Sequence, residues 1–155
     1  MLSILLPLLF IGCATSSSSP LESRAQEIQD FEEVSYKKLG SPNFVNKYDG
    51  KGVKFKATFI GEWGLKGSYR KRGIITQNRV FVNTRSLKFD VDSAGQMSMS
   101  QYPPIIISVK KSNSDFVYSY DSGSTIKVKG LAEKVPGFEG DSTIHVYVES
   151  VEKID

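Results

Sequence analysis

The strongest constraint on the fold is an alternation of apolar and polar residues that begins at Gly52. In an extended chain, one side carries Val53, Phe55, Ala57 and Phe59, and the other side carries Lys54, Lys56 and Thr58. A period of two is typical of a strand with one buried face and one solvent-facing face. The stretch therefore predicts a half-buried β-strand.

Further strands are predicted from the same kind of pattern along the rest of the chain. They cover residues 79–83, 87–91, 105–110, 125–133 and 143–151. In the last of these, Ile144, Val146 and Val148 point inward, so His145 is predicted to lie on the outward face as an ordinary surface or edge histidine. Ser41-Pro42 predicts the start of a short helix that ends near Tyr48. The chain is therefore predicted to be mainly β with short helices.

Two long segments resemble the small OB-fold barrels of exported bacterial proteins. They are "VSYKKLGSPNFVNKYDGKGVKFKATFIG", which resembles the opening of such barrels, and "YDSGSTIKVKGLAEKVPGFEGDSTIHVYVESVEKI", which resembles their closing strand pair. The resemblance covers roughly residues 35–154 and implies a five-stranded barrel. Closure also hides strand edges that an open sheet would expose. Gly61 and Gly130 are predicted to supply bends in the first and fourth strands.

The amino-terminal residues indicate export. Residues 2–11 form an apolar run of about ten residues, well short of the roughly 20 that a membrane-spanning helix needs. Gly12-Cys13-Ala14 follows and resembles the lipobox of bacterial lipoproteins, with Ser16–Ser19 as a flexible tether. The resemblance implies cleavage before Cys13 and lipidation of its thiol. A secretory signal that merely contains a cysteine, or an apolar first strand, is the alternative.

These features predict three segments: a signal peptide over 1–12, a lipidated and disordered tether over 13–34, and the barrel over 35–155. Residues 14 and 15 include no aspartate, the residue that marks lipoproteins for retention in the inner membrane. The predicted location is therefore the cell envelope, at the outer membrane, with the membrane as a partner through Cys13.

Catalytic and metal-binding patterns are weak. The single cysteine and single histidine do not provide a Cys/His zinc site. Asp90 and Asp92 share a strand face, but a hard cation needs more converging oxygens than two carboxylates supply. The segment "GEWGLKGSYRKRG" lacks the Lys-Ser/Thr ending of a phosphate-binding loop. No enzyme, metal or cofactor is predicted.

Charge is the most informative functional signal. Residues 37–72 contain ten lysines and arginines against two acidic residues. OB folds commonly bind ligands with the loop after the first strand, the face of the second and third strands, and the loop before the last strand. The candidate ligand-binding residues are therefore Trp63, Tyr69, Arg70, Lys71, Arg72, Phe81 and Phe138. The alternative is that Trp63 caps the core, the cations form a solvated face, and Phe138 packs under its own loop.

Three functions are compatible with these features. The preferred one is a non-catalytic binding module for an anionic polymer or headgroup, steered by positive charge and aided by aromatic stacking. The second is a structural lipoprotein that docks on another envelope protein. The third is single-stranded nucleic-acid binding, which the fold alone suggests, although an exported lipoprotein meets little nucleic acid.

Overall fold

The computed structural model describes residues 28–64, 66–85, 105–137 and 140–154. Several predictions lie outside these ranges: the signal peptide, Cys13, the strand over 87–91, Asp90, Asp92 and Phe138. Within the described ranges, no helix has both the length and the apolar character that crossing a membrane requires.

Six strands and several short helices make up the described chain. In order they are β1 (Glu32–Glu33), α1 (Tyr36–Leu39), a 3-10 turn (Pro42–Phe44), α2 (Val45–Tyr48), β2 (Lys51–Glu62), α3 (Lys66–Lys71), β3 (Arg79–Arg85), β4 (Ile105–Lys110), a second 3-10 turn (Lys111–Asn113), α4 (Asp115–Ser119), β5 (Thr125–Pro136) and β6 (Ser142–Lys153). The predicted helix after Ser41 is confirmed, with Pro42 at its start.

Strands β2 to β6 close into a barrel in the order β2-β3-β4-β6-β5, with β5 pairing back onto β2. The β4–β6 pair is parallel, and the other neighbours in the barrel are antiparallel. The predicted five-stranded OB-fold barrel is therefore confirmed. Each of its strands has a partner on both sides, which removes the open edges that promote aggregation.

The barrel interior is lined by the apolar half of the alternating pattern. Val53, Phe55, Ala57 and Phe59 of β2 are each at most 2% exposed, as the period of two predicts. They meet the inward residues of the other strands, among them Val80, Val82, Ile105, Ile107, Ile126, Val128, Ile144 and Val146. Burying a side chain of this size contributes roughly 1.5–3 kcal/mol. This core is therefore the main source of stability.

Two glycines bend the strands where the sequence predicts. The pairing of β2 with β3 shifts register between Phe59 and Gly61, and that of β5 with β6 shifts between Lys129 and Gly130. Gly61 has φ +149°, a conformation that side chains disfavour. A Cβ on Gly130 would collide with the backbone carbonyl of Tyr147. The first glycine is thus needed for its conformation and the second for a close approach.

The described fold begins earlier than the predicted boundary at residue 35. Glu32 and Glu33 pair with β2 in parallel, and the Val34 N–H donates to the Lys54 carbonyl at 3.0 Å. Gly52 lies against the side chains of Ile28 and Phe31, where a Cβ would not fit. The acidic, weakly periodic sequence does not predict this strand, because the strand forms through main-chain pairing with β2.

Candidate functional site

The loop of residues 63–78, here called the basic loop, connects β2 to β3 and contains α3. Helix α3 ends in a tight turn in which the Gly73 N–H donates to the Arg70 carbonyl and the Ile74 N–H donates to the Tyr69 carbonyl, each at 3.1 Å. This is the Schellman arrangement, and it places Gly73 at φ +76°. The last turn also carries Lys71, and cations are favoured at this end of a helix.

Apolar side chains fix the basic loop on the outside of the barrel. Tyr69 and Ile74 pack against Phe81 of β3 and Ile106 of β4, with Trp63 and Val135 at the margin. The Tyr69 and Phe81 rings lie 4.6 Å apart, and burial raises the pKa of Tyr69 to about 12. The backbone N–H of Trp63 donates to the Phe81 carbonyl at 2.8 Å. The loop therefore covers part of the face through which OB folds commonly bind ligands.

A row of ring contacts continues from Tyr69 and Phe81 across the outer face. Phe81 lies 5.8 Å from His145, His145 lies 4.0 Å from Tyr147, and the Arg79 guanidinium lies 4.6 Å over the Tyr147 ring. His145 is fully buried and β6 has a partner strand on each side, so the prediction of a surface or edge histidine is wrong. The histidine does point away from the barrel interior, but this outer face is itself covered by neighbouring rings.

His145 forms a buried polar pair with Ser108. Their Nε2 and Oγ atoms are hydrogen bonded at 2.7 Å, and within the described residues His145 Nδ1 has no hydrogen-bond partner. Burial, aided by the positive charge of Arg79, lowers the pKa of His145 to about 3. The imidazole is therefore neutral at neutral pH. Both side chains are fully buried, so this pair is out of reach of a substrate.

The structure leaves two of the predicted cations in solvent but buries two of the predicted rings. Arg70 and Lys71 are exposed, and Arg72 is half-buried with its Nη1 donating to the Pro136 carbonyl at 3.4 Å. Tyr69 and Phe81 are each 1% exposed, so they do not line an open groove. Their faces are used for intramolecular packing, which a local sequence pattern does not reveal. Trp63 is half-buried against the cluster of Tyr69, Ile74, Phe81 and Ile106, so it does not cap the barrel core.

An exposed ring that the sequence reasoning missed lies beside the basic loop. Tyr118 of α4 is 70% exposed, and its hydroxyl donates to Glu62 Oε2 at 3.4 Å. Glu62 Oε1 lies 3.8 Å from Lys66 Nζ, and its negative charge raises the pKa of Tyr118. The sequence predicts no ligand-binding role for this residue. No local sequence pattern separates Tyr118 from the adjacent Val117, which is buried.

The cations at the end of α3 present unbalanced charge. In the described ranges, no carboxylate forms an ion pair with Arg70 or Lys71, and the Arg70 Nε–H donates weakly to Thr76 Oγ1 at 3.5 Å. The same ranges contain no group of three or more potential metal ligands. Fold and surface together define an OB-fold barrel with a solvent-facing basic loop, suited to contacts with anions.

No protein-family model and no curated protein matches the chain. Among solved structures, it is similar to an aspartyl-tRNA synthetase from Leishmania major Friedlin, with 15% identity and a TM-score of 0.47 over 81% of this chain and 21% of that one. The aspartyl-tRNA synthetase of Entamoeba histolytica gives 14% identity and 0.47, covering 81% and 22%. Schizosaccharomyces pombe Pot1pC bound to ssDNA gives 15% and 0.32, covering 67% and 78%. The chain thus spans about a fifth of each synthetase, and these likenesses assign it no ligand or activity.

Proposed function

We propose that this chain is a membrane-anchored lipoprotein of the cell envelope and that it acts as a non-catalytic module that binds an anionic polymer through the basic loop. The observation that carries the binding proposal is the placement of Arg70 and Lys71 in solvent on a short helix that Tyr69 holds against the barrel. Because the helix is already fixed, little conformational entropy is lost when a ligand binds. The Gly12-Cys13 sequence supports the anchor.

A docking role on another envelope protein is the second candidate. It is favoured by two exposed apolar side chains near the cations, Ile75 at 42% and Tyr118 at 70% exposed. Single-stranded nucleic acid is the less favoured ligand, because sequence-tolerant binding of single strands relies on open ring faces. Tyr69 and Phe81, the rings in position for that role, are buried.

Replacing Cys13 with alanine is expected to release the protein from the membrane fraction. The thiol is the only one in the chain and therefore the only site for a thioether-linked lipid. A single acyl chain gives marginal binding, whereas additional chains anchor stably. Detergent phase partitioning and metabolic labelling with palmitate measure the outcome. An unaltered protein that partitions into the aqueous phase and takes up no label would contradict the anchor.

The triple variant Arg70→Gln, Lys71→Gln, Arg72→Gln is expected to lose retention on a heparin column. Glutamine preserves helix propensity, so the anchored loop keeps its conformation while three charges are removed. Wild-type retention is expected to fall steeply with salt, since the screening length shrinks from about 10 Å at about 0.1 M to about 3 Å at about 1 M. The salt concentration at elution is the measurement.

A charge-matched control removes three exposed lysines elsewhere, with Lys38→Gln, Lys111→Gln and Lys134→Gln, and should still be retained. Tyr118→Ala tests stacking and should lower retention by an amount that salt does not change. Unchanged elution of the loop variant would contradict anion binding at the loop and favour the protein-docking role, which capture of one stoichiometric envelope protein would then support.

A further inference from the structure

A second basic surface lies on the outer face of β2 and β5, away from the features used above. The antiparallel register places Lys54 directly opposite Lys129 and Lys56 directly opposite Lys127. The intervening residues Phe55 and Val128 are buried in the core, so the four lysines share the outward face. Opposite residues are about 5 Å apart at Cβ, and alternate residues along a strand about 7 Å apart. We call this two-by-two array the lysine face.

The array is electrostatically unfavourable on its own. Like charges directly opposite each other destabilise a sheet, and here two such pairs follow one another. Glu33 of β1 lies beside Lys54, and Glu152 of β6 lies opposite Lys127. Within the described chain, neither carboxylate forms an ion pair with the four lysines. Exposed Arg85 adds positive charge one row further along, opposite Thr58.

The amino-terminal chain meets the barrel next to this surface. Glu33 pairs with Lys54, and the Val34 N–H donates to the Lys54 carbonyl at 3.0 Å. Residues 1–27 precede the described residues. Ile28, the first of these, lies against Gly52 of β2. A lipid on Cys13 would therefore tether the barrel by a segment that ends beside the lysine face.

We propose that the lysine face docks on an anionic lipid surface, with headgroup phosphates accepted between the paired lysines. The proposal rests on the lipid anchor proposed above, which would place a membrane within reach. Lysine suits this role because its apolar stem and mobile ammonium group adapt to an uneven headgroup layer. Each lysine near an anionic surface strengthens binding about fivefold.

The test is a ratio of two partition coefficients of the full chain. One is measured on vesicles of equimolar phosphatidylcholine and phosphatidylglycerol, and the other on phosphatidylcholine alone. An apolar amino terminus or an attached lipid binds both vesicles, so the ratio isolates the contribution of charge. The variant Lys54→Gln, Lys56→Gln, Lys129→Gln is expected to lower the ratio about a hundredfold at low salt. Lys127 is kept because Glu152 faces it.

The control variant Lys38→Gln, Lys111→Gln, Lys134→Gln removes the same charge from exposed lysines outside both basic surfaces and is expected to leave the ratio nearly unchanged. Unfolding of the lysine variant is excluded if its urea midpoint is equal to or above that of the wild type, as relief of like-charge pairs predicts. An unchanged ratio, or an equal fall in both variants, would overturn the proposal. If the lysine variant loses heparin retention while its vesicle ratio stays unchanged, the proposal is also overturned, in favour of a polysaccharide. Failure of the anchor is detected separately, by the Cys13 variant.

Discussion

Taking this protein from neutral pH to about pH 3 is expected to lower its free energy of unfolding by roughly 4–5 kcal/mol through His145. Its pKa falls from 6.5 to about 3 on folding, chiefly because burial excludes the charged form. Between these values the unfolded chain binds the extra proton and the folded chain does not. Stability therefore rises with pH across this window, and it is lost as the pH falls.

The measurement is urea unfolding at a series of pH values, compared with the double variant Ser108→Ala, His145→Phe. Removing both partners of a buried hydrogen bond is nearly neutral, whereas Ser108→Ala alone leaves a buried imidazole unpaired, at about 1–3 kcal/mol. The double variant should lose much less stability in acid, because it has no buried histidine to protonate. Some loss remains, since its carboxylates still titrate. If the free energy of unfolding falls equally with pH in the wild type and the double variant, the role of His145 is contradicted.

Replacing Gly130 with alanine is expected to destabilise the barrel by about 3 kcal/mol. The new Cβ would collide with the carbonyl oxygen of Tyr147 and lie 2.9 Å from its carbonyl carbon. Both atoms belong to the backbone of β6, so no side-chain rotation relieves the clash. The register shift at Lys129/Gly130 would have to move, together with the inward residues that follow it.

Gly67→Ala is the matched control for this substitution. Gly67 lies in α3 with open space around its Cβ position and should gain up to about 1 kcal/mol from helix propensity. The midpoint of urea unfolding measures both variants. Equal midpoints for the two would show that the close approach at Gly130 carries no strain.

Much of the barrel could be predicted from local patterns. The alternation from Val53 to Phe59 specifies a strand with one buried face because side chains alternate across a pleated strand. Gly61 and Gly130 interrupt two such patterns, and glycine within a strand marks a bend or a close approach. Ser41-Pro42 specifies a helix start through chain geometry alone.

The candidate site was only half predictable. Consecutive Arg70, Lys71 and Arg72 cannot all enter a core, so exposed charge in this loop follows from the sequence. The burial of Tyr69 and Phe81 does not follow, because it depends on the loop folding back over β3 and β4. His145 is buried because neighbouring rings cover the outward face of β6. The alternation in β6 predicts only that His145 points outward, and it does not show whether that face is covered.

The sequence by itself thus determined the strands, their inward faces, the bend positions and the basic character of the loop, since each depends on neighbours along the chain. Only the tertiary structure decided which outward faces are covered, and it placed Lys54 opposite Lys129 and Ser108 beside His145. Those contacts join residues far apart in the chain. Strand register and loop placement create them, and these are set by the packing of the whole barrel.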